Sequence, residues 1–182
     1  FLFIFSIYIY GSFSINKNQI FLNLFDNKNK TYVKVISPNF KLKYNSSKNE
    51  VEHKLKKLIR YSDPDPKKKT LFIWPEGVFS GYSYNEIFQF NDFIKNNFSN
   101  NHSILFGVNI KSKNSEEFYN SLIITNNKFE ILHQYNKKKL VPFGEFLPFE
   151  KYLSKIGLKK ITEGQGSFTR GKKQKNIIHN KL

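Results

Sequence analysis

The chain opens on an apolar run from Phe1 to Tyr10, interrupted only by Ser6. From Gly11 to Lys30 it turns polar and asparagine-rich, with a short apolar patch at Ile20, Phe21 and Leu22. Tyr32-Val33-Lys34-Val35-Ile36 alternates and is β-branched, which predicts a strand closed by Ser37-Pro38. Asn49 to Tyr61 places Val51, Leu55, Leu58 and Ile59 at helical spacing, the pattern of an amphipathic helix. Asp63-Pro64-Asp65-Pro66 ends it, because a residue before proline avoids the helical region. Thr70 to Trp74 reads as a buried strand, and Asn85 to Phe98 as a helix with Ile87, Phe90, Ile94 and Phe98 on one face. Ser103 to Ile110 predicts another strand. Phe118 to Thr125 and Lys128 to Leu132 flank Asn126-Asn127, a hairpin signal. Phe149 to Ile156 predicts a short helix, and Asn176-Ile177-Ile178 the start of one more strand. This order argues for a layered α/β domain rather than a bundle.

Composition changes the picture at the two ends and in the charge. At 182 residues with 39% hydrophobic and 17% aromatic positions, the chain can bury one core and is not disordered. It opens on Phe1 and contains no methionine, so further chain is expected upstream. Ten apolar residues cannot cross a bilayer, which takes about 20. Residues 1–12 are therefore expected to be the end of a transmembrane helix with Tyr8 and Tyr10 at the interface, against the plainer alternative of a buried strand. Residues 13–30 are expected to be a linker and 31–182 the folded domain. The net charge of +16 raises a nucleic-acid reading, but only Arg60 and Arg170 are arginine and the other 28 basic residues are lysine. Base and phosphate recognition leans on the arginine fork, so the charge reads as solvated surface with some attraction to anionic lipid, and no nucleic-acid partner is expected. No cysteine is present, and His53, His102, His133 and His179 show no ligand spacing, so each reads as a surface or loop residue and no metal or cofactor is expected.

Two segments carry candidate chemistry. Thr70-Leu71-Phe72-Ile73-Trp74-Pro75-Glu76 sets a carboxylate at the C-terminal edge of a strand, where α/β folds place their sites. Shielding by the indole of Trp74 would raise the Glu76 pKa towards that of a general base. A loop carboxylate capping the next segment is the alternative. The second segment is Tyr135-Asn136-Lys137-Lys138-Lys139-Leu140-Val141-Pro142-Phe143-Gly144-Glu145, with Pro142 and Pro148 stiffening the loop. A lysine held just ahead of it could face a developing oxyanion, unless the three lysines are only a solvated basic run.

These two segments resemble the nitrilase superfamily of carbon–nitrogen hydrolases, and within it the membrane-bound branch of apolipoprotein N-acyltransferases. Val35-Ile36-Ser37-Pro38-Asn39, Tyr119-Asn120-Ser121-Leu122-Ile123 and Ser167-Phe168-Thr169-Arg170-Gly171 add to the resemblance. It implies a nitrilase-like αββα sandwich, incomplete at its C-terminal end. It also implies Glu76 as general base, Lys137 as catalytic lysine and Glu145 as a further active-site carboxylate keeping Lys137 protonated. In such a site a cysteine thiolate takes an acyl chain from a phospholipid as a thioester and passes it to the amine of a diacylglyceryl-cysteine apolipoprotein. Phe79, Phe143 and Phe146, together with Tyr82 and Phe149, could line the acyl-chain groove, or be ordinary packing. The expected partners are the phospholipid, the lipidated apolipoprotein and the membrane, and the expected state is a monomer. The setting implied is the bacterial inner membrane with the domain on the periplasmic side, although so many lysines after a membrane helix would by themselves suggest the cytoplasmic side.

The chain departs from the pattern at the nucleophile, which the resemblance puts beyond Leu182. The expectation is therefore a fragment inactive alone, with a pseudoenzyme as the alternative. Two other functions fit less of the sequence. A soluble amidase would use the same triad on a small amide. A non-enzymatic basic module would bind nucleic acid or membrane with steep salt dependence, independently of Glu76 and Lys137.

Overall fold

The computed structural model describes residues 2–24, 30–41, 43, 46–112, 117–157 and 167–172. The strand expected at Asn176-Ile177-Ile178 lies outside the described residues. The chain divides into two units, Phe1–Lys30 and Thr31–Leu182. The first is a helix, α1 (Leu2–Leu24), which no proline interrupts. It carries on through positions expected to begin a linker at residue 13. Among the described residues no helix is long and apolar enough to cross a membrane.

The second unit is a mixed α/β domain built on one five-stranded sheet in the order β1-β2-β3-β4-β5. The strands are β1 (Tyr32–Val35), β2 (Thr70–Ile73), β3 (His102–Lys111), β4 (Phe118–Thr125) and β5 (Ile131–Asn136). β1, β2 and β3 pair in parallel, while β4 pairs antiparallel with both β3 and β5. Hence β1, β2, β3 and β5 all point the same way, and their C-terminal ends share one edge of the sheet.

Between β1 and β2 runs α2 (Lys48–Ser62), opened by a reciprocal Ser47–Glu50 capping box and closed by Asp63 in the left-handed region at φ 41°. Its buried stripe is Val51, Leu55, Leu58 and Ile59, as the spacing predicts. This stripe joins Phe72, Ile104, Phe106, Val108 and Ile123 in one core, so the helices cover a single face of the sheet. The opposite face carries Val33 and Val35, which are exposed, and Leu71, Ile73 and Leu105, which are half-buried. The described residues of this unit thus form two layers, helices on one face of a five-stranded sheet.

Three local expectations are corrected. The single helix over Asn85 to Phe98 is two, α3 (Tyr84–Phe88) and α4 (Asn91–Asn97), broken at Gln89-Phe90. The break still leaves Ile87, Phe90, Ile94 and Phe98 all buried, so the apolar pattern holds where the helical hydrogen bonding does not. The hairpin loop is longer than two residues. Asn126 Oδ1 accepts from the amides of Lys128 and Glu130, and Phe129, at φ 62°, is fully buried and stacked on Phe106. Driving that ring into the core widens the turn and shifts β5 to Ile131–Asn136. His102 is buried rather than on the surface: its Nδ1 accepts from the Ser99 amide at 3.0 Å and its Nε2 lies 2.9 Å from the Asp65 carbonyl. After β5 comes α5 (Glu150–Leu153), whose helical turn runs on into a 3-10 turn over Ser154–Ile156.

Candidate active site

Lys137 is the first residue after β5, and its position is set by the sheet: its amide donates to the Asn120 carbonyl of β4 at 2.8 Å. The loop that follows folds back on itself. The Phe143 amide donates to the Phe146 carbonyl at 2.7 Å and the Glu145 amide to the Val141 carbonyl at 2.8 Å. Phe143 takes a positive φ of 62° to make the turn. This brings Glu145 Oε1 to 2.9 Å from Lys137 Nζ, with the lysine side chain 37% exposed and the carboxylate 15% exposed.

Glu145 is held at both oxygens. Asn120 Nδ2 donates to Oε1 at 2.7 Å, and the Val141 amide donates to Oε2 at 2.8 Å. Burial pushes its pKa up, but the Val141 amide, the Lys137 ammonium and the Asn120 amide outweigh it, so the carboxyl sits below its ordinary value. The pair is therefore a fixed anion holding a partly exposed ammonium whose remaining N–H bonds are available to a developing negative charge. Asn120 lies within a segment that drew attention in the sequence, yet nothing local assigns it to Glu145; only the β4–β5 pairing does.

Glu76 follows β2 at the same edge of the sheet. Pairing runs Ile73 to Leu105, Leu105 to Ile124 and Ile124 to His133, so β2 ends level with His133; Glu76 lies three residues past Ile73 and Lys137 four past His133. Three strand spacings separate them, roughly 14 Å along the sheet. The Glu76 side chain is exposed and sits on a cleft of about 260 Å³ with Ser37, Pro38, Asn39, Lys54 and Gly77 among its lining. Lys54 comes from α2; its Nζ donates to Ser46 Oγ at 2.9 Å and to the Val78 carbonyl at 3.2 Å, and burial lowers its pKa. No sequence signal marked Lys54, because it flanks the buried stripe of an ordinary amphipathic helix.

Two expectations fail here. Trp74 does not shield Glu76: it is buried, its Nε1 donates to Ser62 Oγ at 3.0 Å, and it packs on Phe98 and Phe106. Alternation puts Trp74 on the core side with Phe72 and would put Glu76 there too, but β2 ends at Ile73 and the turn that begins at Glu76 carries the carboxylate outside. Phe79 does not line a groove either, since it is buried against Trp74 and Phe106. Tyr82 is half-buried, with its hydroxyl donating to the Ser46 carbonyl at 2.7 Å. Phe143 and Phe149 are exposed, and Phe146 is half-buried.

No family model matches the chain. Over 59 residues it is 42% identical to the apolipoprotein N-acyltransferase of Rhodopseudomonas palustris, a stretch covering 32% of this chain and 11% of that protein. The enzymes of that name match similarly in Brucella suis, at 43% over 54 residues (30% of this chain, 10% of the relative), and in Caulobacter vibrioides, at 40% over 57 residues (30% and 11%). The chain is similar to apolipoprotein N-acyltransferases over about a third of its length. The matched stretch spans only about a tenth of those relatives. Among solved structures, an amidase from Nesterenkonia sp. AN1 aligns with a TM-score of 0.43 at 13% identity, covering 80% of this chain and 50% of that one. A carbon–nitrogen hydrolase from Helicobacter pylori aligns with a TM-score of 0.41 at 18% identity, covering 61% and 40%.

Proposed function

We propose that this chain is part of the catalytic domain of an apolipoprotein N-acyltransferase of the nitrilase superfamily. The Lys137–Glu145 pair carries this reading: the loop with the most specific resemblance folds so that its lysine and carboxylate meet at 2.9 Å. The likeness to curated enzymes of that name supports it.

In the proposed reaction, Glu76 takes the proton of a cysteine thiol as the sulfur attacks the acyl-ester carbonyl of a phospholipid. The oxyanion forms within reach of Lys137 Nζ. Collapse breaks the ester C–O bond, and the departing alkoxide takes the proton back from Glu76, leaving a thioester and a lysophospholipid. The α-amine of the diacylglyceryl-cysteine apolipoprotein then attacks the thioester, loses its proton to Glu76 and forms the amide, and the released thiolate recovers that proton. The sulfur comes from outside these 182 residues, since none of them is cysteine; without it the chain is inactive. Phe143 and Phe146 supply apolar contact for the acyl chain. The work is done at the periplasmic face of a bacterial inner membrane.

The test uses the full gene product that carries this chain, assayed for acyl transfer from phospholipid to a diacylglyceryl-cysteine peptide. Glu76→Gln and Lys137→Ala should each lower kcat by a factor on the order of 10²–10⁴ while the protein stays folded. Near-normal transfer by either variant refutes the assignment. Hydrolysis of small amides without acyl transfer would replace it with a soluble amidase.

A further inference from the structure

The segment Phe168–Gly171 lies across both halves of the Lys137–Glu145 pair. Its backbone amides donate at three points: Phe168 to the Glu145 carbonyl at 2.8 Å, Thr169 to the Phe118 carbonyl at 2.7 Å, and Gly171 to the Lys137 carbonyl at 2.9 Å. The Arg170 guanidinium sits 5.1 Å from the centre of the Phe146 ring, one residue past Glu145. One short segment therefore ties the end of β5, the start of β4 and the far end of the loop together.

Gly171 is what permits the approach. A Cβ at this position would stand 2.2 Å from the Asn136 carbonyl oxygen and 2.7 Å from its carbonyl carbon. Those are backbone atoms, and Asn136 has little room to yield. Its Oδ1 accepts from Ser121 Oγ at 2.8 Å and from Gln134 Nε2 at 2.7 Å. The next residue is held from both sides, with the Lys137 amide donating to the Asn120 carbonyl and the Lys137 carbonyl accepting from the Gly171 amide.

We infer that Phe168–Gly171 is a positioning strap that fixes the Lys137 ammonium against Glu145, with Gly171 setting how closely it docks. The ammonium's aim depends on where two backbone segments lie; the strap bonds to the backbone carbonyl of each, whereas Asn120 reaches Lys137 through its amide and Glu145 through its side chain. Its consequence for catalysis rests on the function proposed above; its consequence for the ion pair does not.

Gly171→Ala in the full gene product is the direct test. The variant should speed amide hydrogen exchange across Lys137 to Glu145 while β2 and β3 keep their protection. The Glu145 carboxyl should titrate closer to its ordinary value. Acyl transfer should lose kcat on the order of tenfold to a hundredfold at little change in KM, the scale expected for a displaced catalytic group. Arg170→Ala adds no clash, so it keeps the test valid should Gly171→Ala fail to fold. It should loosen the same amides to a smaller degree, and Arg170→Lys should restore them. Unchanged exchange and titration in a folded variant would overturn the strap, and so would loosening spread evenly over the sheet. Absence of acyl transfer in the unaltered protein would sink the proposed function and leave the exchange and titration results to judge the strap.

Discussion

Glu145 shows how one side chain can be read for pH dependence. Its carboxyl is held below the ordinary value in the folded chain, despite burial, by the Val141 amide, Lys137 and Asn120. The ionised form therefore stabilises the fold at any pH above the ordinary carboxylate value, and that contribution is lost as pH falls through the lowered one. Urea midpoints measured against pH should show the gap between the unaltered protein and Glu145→Gln shrinking on acidification; a gap constant with pH would mean the ion pair is not formed. Thr125 is the opposite case. It is fully buried and its Oγ1 has no hydrogen-bond partner among the described residues. Thr125→Val keeps the shape and removes the orphan, so stability should rise by about 1 kcal/mol, checked by denaturant unfolding. Two of the Glu145 partners were not visible in the sequence, because Asn120 and the Val141 amide reach it only through strand pairing and a reversed loop.

At the scale of elements, α2 was legible almost to the residue. Its apolar spacing and the prolines after Asp63 act within one or two turns of chain, and the structure adds the equally local Ser47–Glu50 box. Ser47→Ala should cost about 1 kcal/mol, read from the shift in thermal unfolding. The β4–β5 connection was legible only as a turn. Its length depends on Phe129, which packs beside Phe106, Tyr84 and Phe88, rings supplied by β3 and α3. Phe129→Ala should therefore cost about 3–5 kcal/mol, far more than a loop residue normally would. A loss under about 1 kcal/mol would show that the ring does not anchor the turn.

For the folded domain as a whole, the decisive property is strand direction. β2 and β5 run the same way on either side of β3 and β4, so Glu76 and Lys137 leave the sheet at one edge. The chain has no cysteine, which lets single thiols be placed cleanly. Glu76→Cys paired with Lys137→Cys should be bridged by a flexible dithiol-reactive linker matched to roughly 14 Å. Asn101→Cys, just ahead of β3 at the other edge, should not be bridged to Lys137→Cys. The reverse result would remove the shared edge on which the proposed chemistry depends.

The amino-acid order alone determined α2, the positions of β1 to β4, the stiff loop between Pro142 and Pro148, and which carboxylates and lysine deserved attention. Those follow from backbone sterics and from periodicity, which act over a few residues. Only the tertiary structure decided that Trp74 and Phe79 belong to the core, that His102 is buried, and that Asn120 and the Val141 amide hold Glu145. Each of those depends on which face a side chain takes once distant strands pair and exclude water. Spacing along the chain does not carry that information.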